Sequence, residues 1–547
     1  MRVKREINSL TGLRFLAAFS VAAAHGAIMT LKFDQPQFGP TFWLTQGAVF
    51  GMTLFFVLSG FVIHYNYRML VTEGGLAGIG AFIWARFARL YPLFLLVLLI
   101  DVFLGRELYN FMLGGTLGGT ASFEATRLAL PYYLSLTQSW FYMVTGDRSL
   151  TYAFGINAPL TWSISTEWFF YLAYIFLAPL IIRIRQPRSL VIACVTWCVV
   201  WWTVQLTVRN LIPQIDAWAL SSYGPVAGMA QGRNSFGVWL TYFSPYSRIG
   251  EFILGAIVAQ LYLQLQDRPV TERETRVGNA LLAISVISLC GLIYERNFSS
   301  FLAAYFVPDF GPAPFIALIM FCVARYGGWV TRLLSSRLYV TLGDASYPIY
   351  LIHFLIFYLP FGYNQLPMTP TPIDLLFLTV RYVFLLALVL LISLGLHAYF
   401  EVPARQWLRG LWSTFQNSGF RTRYGIAPFT LLASPIAAAL VVFLLNASDV
   451  SSPHSVQAGI RVVSASYGEN CGAGTGNATK RLQQACDGRT SCEYRIDAGT
   501  IGDPVALCHK AFSAEYECAP DATRLRKEVP PEAGLGSLLV LECGRRE

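Results

Sequence analysis

Thr11-Gly12-Leu13-Arg14-Phe15-Leu16-Ala17-Ala18-Phe19-Ser20-Val21-Ala22-Ala23-Ala24-His25 places two ionisable side chains inside a segment that otherwise reads as membrane helix. An arginine at the centre of a bilayer costs roughly 2.5–3.5 kcal/mol on the mildest insertion scale, so such a residue faces a partner, a pore or a ligand. His25 lies eleven positions after Arg14. At about 100° and about 1.5 Å per residue this is close to three whole turns, which puts both side chains on one face, roughly 16 Å apart. One strip of one helix therefore carries a fixed cation and a titratable base.

The chain of 547 residues is 55% hydrophobic and 13% charged, with 40 Phe. So much apolar surface in recurring uncharged runs excludes a soluble enzyme and predicts a mostly α, polytopic membrane helix bundle embedded in a lipid bilayer. The net charge of +9 does not predict nucleic-acid binding, because Arg and Lys gather in alternate short loops. That is the distribution of topogenic charge, not of a phosphate-binding face. Eleven spans are expected, at about 9–30, 47–67, 88–105, 166–184, 189–208, 245–265, 277–294, 308–324, 341–361, 374–400 and 426–446. Arg2-Val3-Lys4-Arg5 reads as a cytoplasmic start without a small-residue cleavage site. Every second loop is then basic, from Arg68, Arg86 and Arg89 through to Arg405, Arg409, Arg421 and Arg423. The stretch 128–145 is apolar, but Pro131 and Gln138 within it and Asp147 after it predict an interfacial or re-entrant piece. The long loops 106–165 and 209–244 read as functional or lid-like.

Cysteine usage divides the chain. Cys194, Cys198, Cys290 and Cys322 lie singly in apolar segments and read as packing residues. Cys194 and Cys198 are one turn apart, but no His or carboxylate stands beside them, so no metal site is expected. Cys471, Cys486, Cys492, Cys508, Cys518 and Cys543 all fall in the last hundred residues. An even count in a small polar domain predicts disulfides and an oxidising compartment. An odd number of spans independently places this tail outside.

Arg86 and Arg89 read either as a positive-inside anchor or, sharing a helix face at i and i+3, as two guanidiniums converging on a phosphorylated ligand. His25 is either a structural hydrogen-bonding residue or a general base for a hydroxyl, a task that the unperturbed imidazole pKa near 6.5 suits. Glu167, in Trp162-Ser163-Ile-Ser165-Thr-Glu167, falls at a depth similar to His25. A buried carboxylate needs a partner. It either forms an ordinary ion pair or orients the imidazole. The Arg14–His25 strip reads as the wall of a reaction tunnel, and Ser346, Tyr350 and His353 either pack or line the same tunnel.

Five motifs stand in order: Arg14 with ten residues before His25, Phe55-Phe56-Val57-Leu58-Ser59-Gly60-Phe61, Arg86-x-x-Arg89 before Tyr91-Pro92, Trp162-Ser-x-Ser165-x-Glu167, and Ser346-Tyr-x-x-Tyr350-Leu-x-His353. Together they resemble the membrane acyltransferase-3 family over about residues 5–410. The resemblance implies a ten-span core that moves acyl groups, mostly acetyl, from cytoplasmic acyl-CoA to carbohydrate hydroxyls outside. It also implies that an extra span can export a fused C-terminal domain. By it, His25 matches the catalytic histidine, and Arg14, Arg86 and Arg89 match arginines linked to donor binding or catalysis. Glu167 is assigned a catalytic role from its depth. Trp162, Ser165, Tyr350 and His353 are expected to meet substrate. The expected donor is acetyl-CoA or another acyl-CoA. The expected acceptor is a cell-envelope or exported polysaccharide, or a lipid-linked glycan, at the inner (plasma) membrane of a bacterium.

The domains expected are 1–410 (acyltransferase), 411–446 (connector and eleventh span), 447–458 (linker) and 459–547 (exported module). The last contains the strand pattern Ile460-Arg-Val-Val463-Ser-Ala-Ser-Tyr467, then Tyr467-Gly-Glu469-Asn-Cys471, Ile501-Gly-Asp503-Pro504 and Cys508-His-Lys510-Ala-Phe512. This order resembles the SUEL-type rhamnose-binding lectins, which implies a small disulfide-rich β-sandwich and places Asp503 and Lys510 near a sugar pocket. The opening hairpin of that family is missing, and Glu469 stands where it often has Arg. Six cysteines allow fifteen pairings. The resemblance favours Cys486–Cys492, Cys471–Cys508 and Cys518–Cys543. Two rival readings are a transporter, which lacks support from any internal repeat, and a glycan-binding receptor anchored by the bundle, which leaves Arg14 and His25 unexplained.

Overall fold

Backbone polar groups in hydrocarbon must be satisfied within the segment, so apolar runs of this length fold as helices. In a computed structural model the described residues are 6–31, 40–103, 128–145, 148–152, 158–229, 234–295, 310–357, 372–417, 459–497, 505, 508–518, 521–531, 533 and 535–543. Contacts divide the chain into two units, Met1–Leu440 and Val441–Glu547.

The first unit is helical. Its long elements are α1 (Asn8–Leu31), α2 (Pro40–Glu73), α3 (Gly75–Phe103), α4 (Ala158–Ile182), α5 (Pro187–Asn210), α6 (Ile212–Tyr223), α7 (Pro245–Leu265) and α8 (Glu272–Glu295). After these come α9 (Ala313–Arg325), α10 (Arg337–Asp344), α11 (Ser346–Phe357), α12 (Pro372–Leu396) and α13 (Val402–Asn417). Among the described residues eight helices are long and apolar enough to cross a membrane. Helices α10 and α11 meet at 67° and make a ninth crossing if they count as one broken span. The protein is thus a multi-pass membrane protein.

Two expected spans differ in form. The eighth shortens to α9, a helix of 13 residues. That length is short of the about 20 residues a straight crossing needs. The ninth is interrupted between Asp344 and Ser346, just before Pro348. The eleventh, 426–446, lies outside the described residues. The stretch 128–145 is not a long helix. A short helical segment over 128–134 leads into turns. There Gln138 Nε2 donates to the Thr161 carbonyl (3.1 Å) and Ser165 Oγ donates to the Leu136 carbonyl (2.8 Å). These bonds satisfy irregular backbone inside the bundle, where water does not.

Close helix crossings set the bundle. At the α2–α7 contact, a Cβ on Gly60 would lie 1.9 Å from the Phe252 carbonyl oxygen, and one on Gly255 would lie 2.0 Å from that of Val57. Only glycine lets the two backbones approach so far. Helix α1 packs between α2 and the α10–α11 pair, which is why its polar strip faces other helices and not lipid.

Among its described residues the second unit holds two small sheets and one α-helix, α14 (Thr479–Cys486). Strand β1 (Ile460–Tyr467) pairs antiparallel with β3 (Phe512–Cys518), which pairs with β4 (Asp521–Val529). Strand β2 (Ser491–Asp497) pairs with β5 (Leu535–Glu542). Ile460, Phe512, Tyr516, Leu539 and Leu541 bury between them with Leu482 of α14. The disulfides are Cys471–Cys508, Cys486–Cys492 and Cys518–Cys543, the pairing that the lectin resemblance favoured. On the open side of the larger sheet, hydrogen bonds from Arg461 and then Arg524 hold the Glu517 carboxyl below the usual carboxylate range.

Candidate active site

Helices α1, α2, α3, α4 and α11 surround a cavity of about 110 Å³. Arg14, Arg86, Arg89, Ser59, Glu167 and Tyr350 are among its lining residues. Three guanidiniums against the carboxylates of Glu167 and, on Arg89, of Glu401 leave one positive charge in excess, which makes this a place for an anion. The volume is well below the roughly 300–1,000 Å³ of sites that enclose drug-sized ligands, so it suits a narrow chain and not a nucleotide.

Helix α3 begins at Gly75, well before the predicted start of the third span. Arg86 and Arg89 consequently lie inside a helix, not in a loop. Their charges end a hydropathy window, but the helix continues because both groups find partners. Arg86 donates to the Tyr67 hydroxyl and sits 4.4 Å from the centroid of that ring. Arg89 Nη1 lies 2.5 Å from Glu401 Oε1. Neither Tyr67 nor Glu401 was expected at the site. A carboxylate at the end of an apolar span, as in Tyr399-Phe400-Glu401, is the signal that could have found the second.

Glu167 lines the cavity, and of the two readings open to it, an ion pair or a hold on the imidazole of His25, its hydrogen bonds serve neither. Its Oε1 accepts from Ser59 (3.0 Å) and from the Tyr171 hydroxyl. Ser59 belongs to the Phe-Phe-Val-Leu-Ser-Gly run, a motif that by itself assigns the serine no role.

His25 is oriented by His353. The two rings are nearly parallel (6°), with His25 Nδ1 2.9 Å from His353 Nε2. His353 is fully buried, and its Nδ1 lies 2.7 Å from the Tyr350 carbonyl oxygen. A carbonyl only accepts, so His353 Nδ1 carries the hydrogen and Nε2 carries the lone pair. His25 Nδ1 then donates to that lone pair, which assigns the lone pair of the neutral His25 ring to Nε2. The chain Tyr350 C=O, His353, His25 fixes a tautomer fit for base chemistry.

The cavity itself does not extend to His25. Its lining includes Tyr350, whose hydroxyl donates to the Leu160 carbonyl (2.9 Å) while Ser163 donates to it (2.7 Å). His353 lies one turn further along α11. The lining of the cavity reaches as far along α11 as Tyr350, whose ring packs against Phe55 at 5.7 Å.

Other expected substrate residues pack within the bundle or the second unit. Trp162 is buried and packs edge-on against Phe56 and Phe243. Ser165 is buried and ties 128–145 to α4. In the second unit Lys510 is 6% exposed and its ammonium donates to the Cys508 carbonyl at 2.9 Å, which turns it inward. Asp503 lies outside the described residues.

A family profile described as an acyltransferase domain (acyltransferase 3) matches residues 7–398. The chain is also similar to the Acyltransferase MdmB of Streptomyces mycarofaciens. The two are 28% identical over 349 residues, which is 64% of this chain and 78% of that protein. No solved structure matches the chain. The profile runs from the turn before Arg14, through the cavity and the paired histidines, to the helix that approaches Arg89, and on that match the chain belongs to the acyltransferase-3 family.

Proposed function

We propose that this membrane acyltransferase moves an acyl group, acetyl in the first instance, from acyl-CoA to a hydroxyl of a glycan on the opposite side of the bilayer. The supporting observation is the His353–His25 pair standing one helical turn beyond a cavity that holds three arginines. The donor's phosphates stay at the mouth near Arg86 and Arg89, on the cytoplasmic side, and the pantetheine arm runs past Arg14 and Tyr350. His25 Nε2 takes the proton of the acceptor hydroxyl, whose oxygen forms the ester bond as the thioester C–S bond breaks. The departing thiolate of CoA takes that proton back from His25. An acyl-enzyme route would use the same groups. The second unit lies outside, where its disulfides persist, and its likeness to rhamnose-binding lectins makes it a candidate holder of the acceptor glycan.

Transfer of label from acetyl-CoA by the purified chain tests the enzyme reading, and mass spectra of envelope glycans from cells lacking the protein test the acceptor class. Lack of any transfer or hydrolysis would reject it. His353→Ala should lower kcat about 10²-fold, the scale expected when a reacting group loses its orientation, with the donor KM unchanged. An unaltered kcat would remove His353 from the mechanism. Charge-assisted hydrogen bonds contribute about 1.5–3 kcal/mol each, so Arg86→Gln combined with Arg89→Gln should raise the donor KM at least about tenfold. Unchanged donor saturation would refute the phosphate role.

A further inference from the structure

Glu401 stands at the end of a π-helical turn, His397–Glu401, closed by the Val402 N–H on the His397 carbonyl. Such a turn inserts one extra residue into a helix, which rotates everything after it by about 100°, and π turns of this kind gather at functional sites. The turn leaves Tyr399 87% exposed and Glu401 2% exposed. Both carboxylate oxygens of Glu401 are engaged: Oε1 with Arg89 Nη1 at 2.5 Å and Oε2 with His397 Nδ1 at 2.9 Å. The carboxylate is therefore fixed in orientation. Helix α13, which follows the turn, is clamped to α3 by the Trp84 Nε1 bond to the Leu408 carbonyl (2.8 Å) and by Trp84 stacking on Trp412 at 5.5 Å. Trp84 precedes Arg89 by five residues on α3. The register of Glu401 against Arg89 is thus set from both sides.

We propose that Glu401, held by His397, is a positioning residue for the donor site: it grips one nitrogen of Arg89 so that the rest of the guanidinium fork is presented to the cavity. This rests on the donor reading of Arg89 given above. A guanidinium has five N–H donors in a rigid plane. Anchoring one end of a planar fork fixes the direction of the others, whereas a loose arginine must be ordered as the phosphate binds. A neighbouring carboxylate also repels a phosphate, so the opposite sign of effect is a definite rival.

The test is the affinity of the full-length protein in detergent for CoA itself, which needs no acceptor. Glu401→Gln should weaken CoA binding about 5–10-fold, and Glu401→Asp, which keeps the charge on a shorter arm, about 2–3-fold. In an Arg89→Gln background Glu401→Gln should add nothing, since both act through one guanidinium. A thermal melt identifies a misfolded variant, in which case Glu401→Asp carries the comparison. Tighter CoA binding by Glu401→Gln, or effects that add with Arg89→Gln, would overturn the proposal. CoA binding weakened by Arg89→Gln but untouched by either Glu401 variant sinks it alone. Failure of the unaltered protein to bind CoA, or binding that Arg89→Gln leaves unchanged, sinks the donor reading with it.

Discussion

His25→Ala is expected to reduce acyl transfer by about 10²–10⁴-fold, the contribution of a positioned general base, while the protein still inserts and melts normally. The ring is half-buried at the end of the polar strip of α1, and alanine removes no large core group there. What disappears is the lone pair on Nε2, which the Tyr350–His353 chain holds in place. His25→Gln should be equally inactive, because an amide can take the place of the hydrogen bond to His353 but cannot accept a proton. Donor saturation should be unchanged in both, since His25 is not among the residues lining the arginine cavity. Rates with labelled acetyl-CoA, beside CoA affinity and a thermal melt, separate these effects. Full activity in either variant ends the base assignment.

Gly255→Val should abolish the folded bundle. Its first added carbon would fall 2.0 Å from the Val57 carbonyl oxygen and 3.1 Å from the Phe61 nitrogen, both backbone atoms of α2. No side-chain rotation relieves such a clash, so the helices must separate. Overpacking of a dense core costs about 1–3 kcal/mol where side chains can yield, and here the cost should exceed that range. Separation would also shift Ser59, which neighbours Gly60 and bonds Glu167 across the cavity. Gly291→Ala is the control, with nothing within 4 Å of the added carbon. It should melt at or slightly above the parent, as alanine is the better helix former by about 1 kcal/mol. Size-exclusion profiles and melts in detergent decide the matter. A monodisperse Gly255→Val protein with the parent's melting temperature would show that α2 and α7 do not cross this closely.

Arg14 and Glu167 were legible as site residues because charge in an apolar span must meet a partner, and both line one cavity. The ends of α3 were not. Arg86 and Arg89 marked the edge of a span to a hydropathy reading, since that reading counts charge and cannot count the Tyr67 hydroxyl that accepts from Arg86 or the Glu401 carboxylate that pairs with Arg89. His353 was visible as a motif member but not as the partner of His25, from which it is separated by 328 positions. Glu167 was one reading for the partner of His25 because depth along a helix is periodic and readable, whereas the rotation of one helix against another is not. Trp162 and Ser165 show the same limit: polar or aromatic character announces a need for contacts without saying which contacts fill it.

By itself the sequence determined that this chain is a multi-pass helical protein with a cysteine-bearing β module. Apolar length, the period of the α-helix and cysteine number are local properties, and they fix element type before any element meets another. Only the tertiary structure decided which histidine faces His25, which acid holds Arg89 and where the cavity stops. Those outcomes depend on helix rotation and crossing distance. These are set by contacts such as Gly60 on Phe252, between residues far apart in the chain.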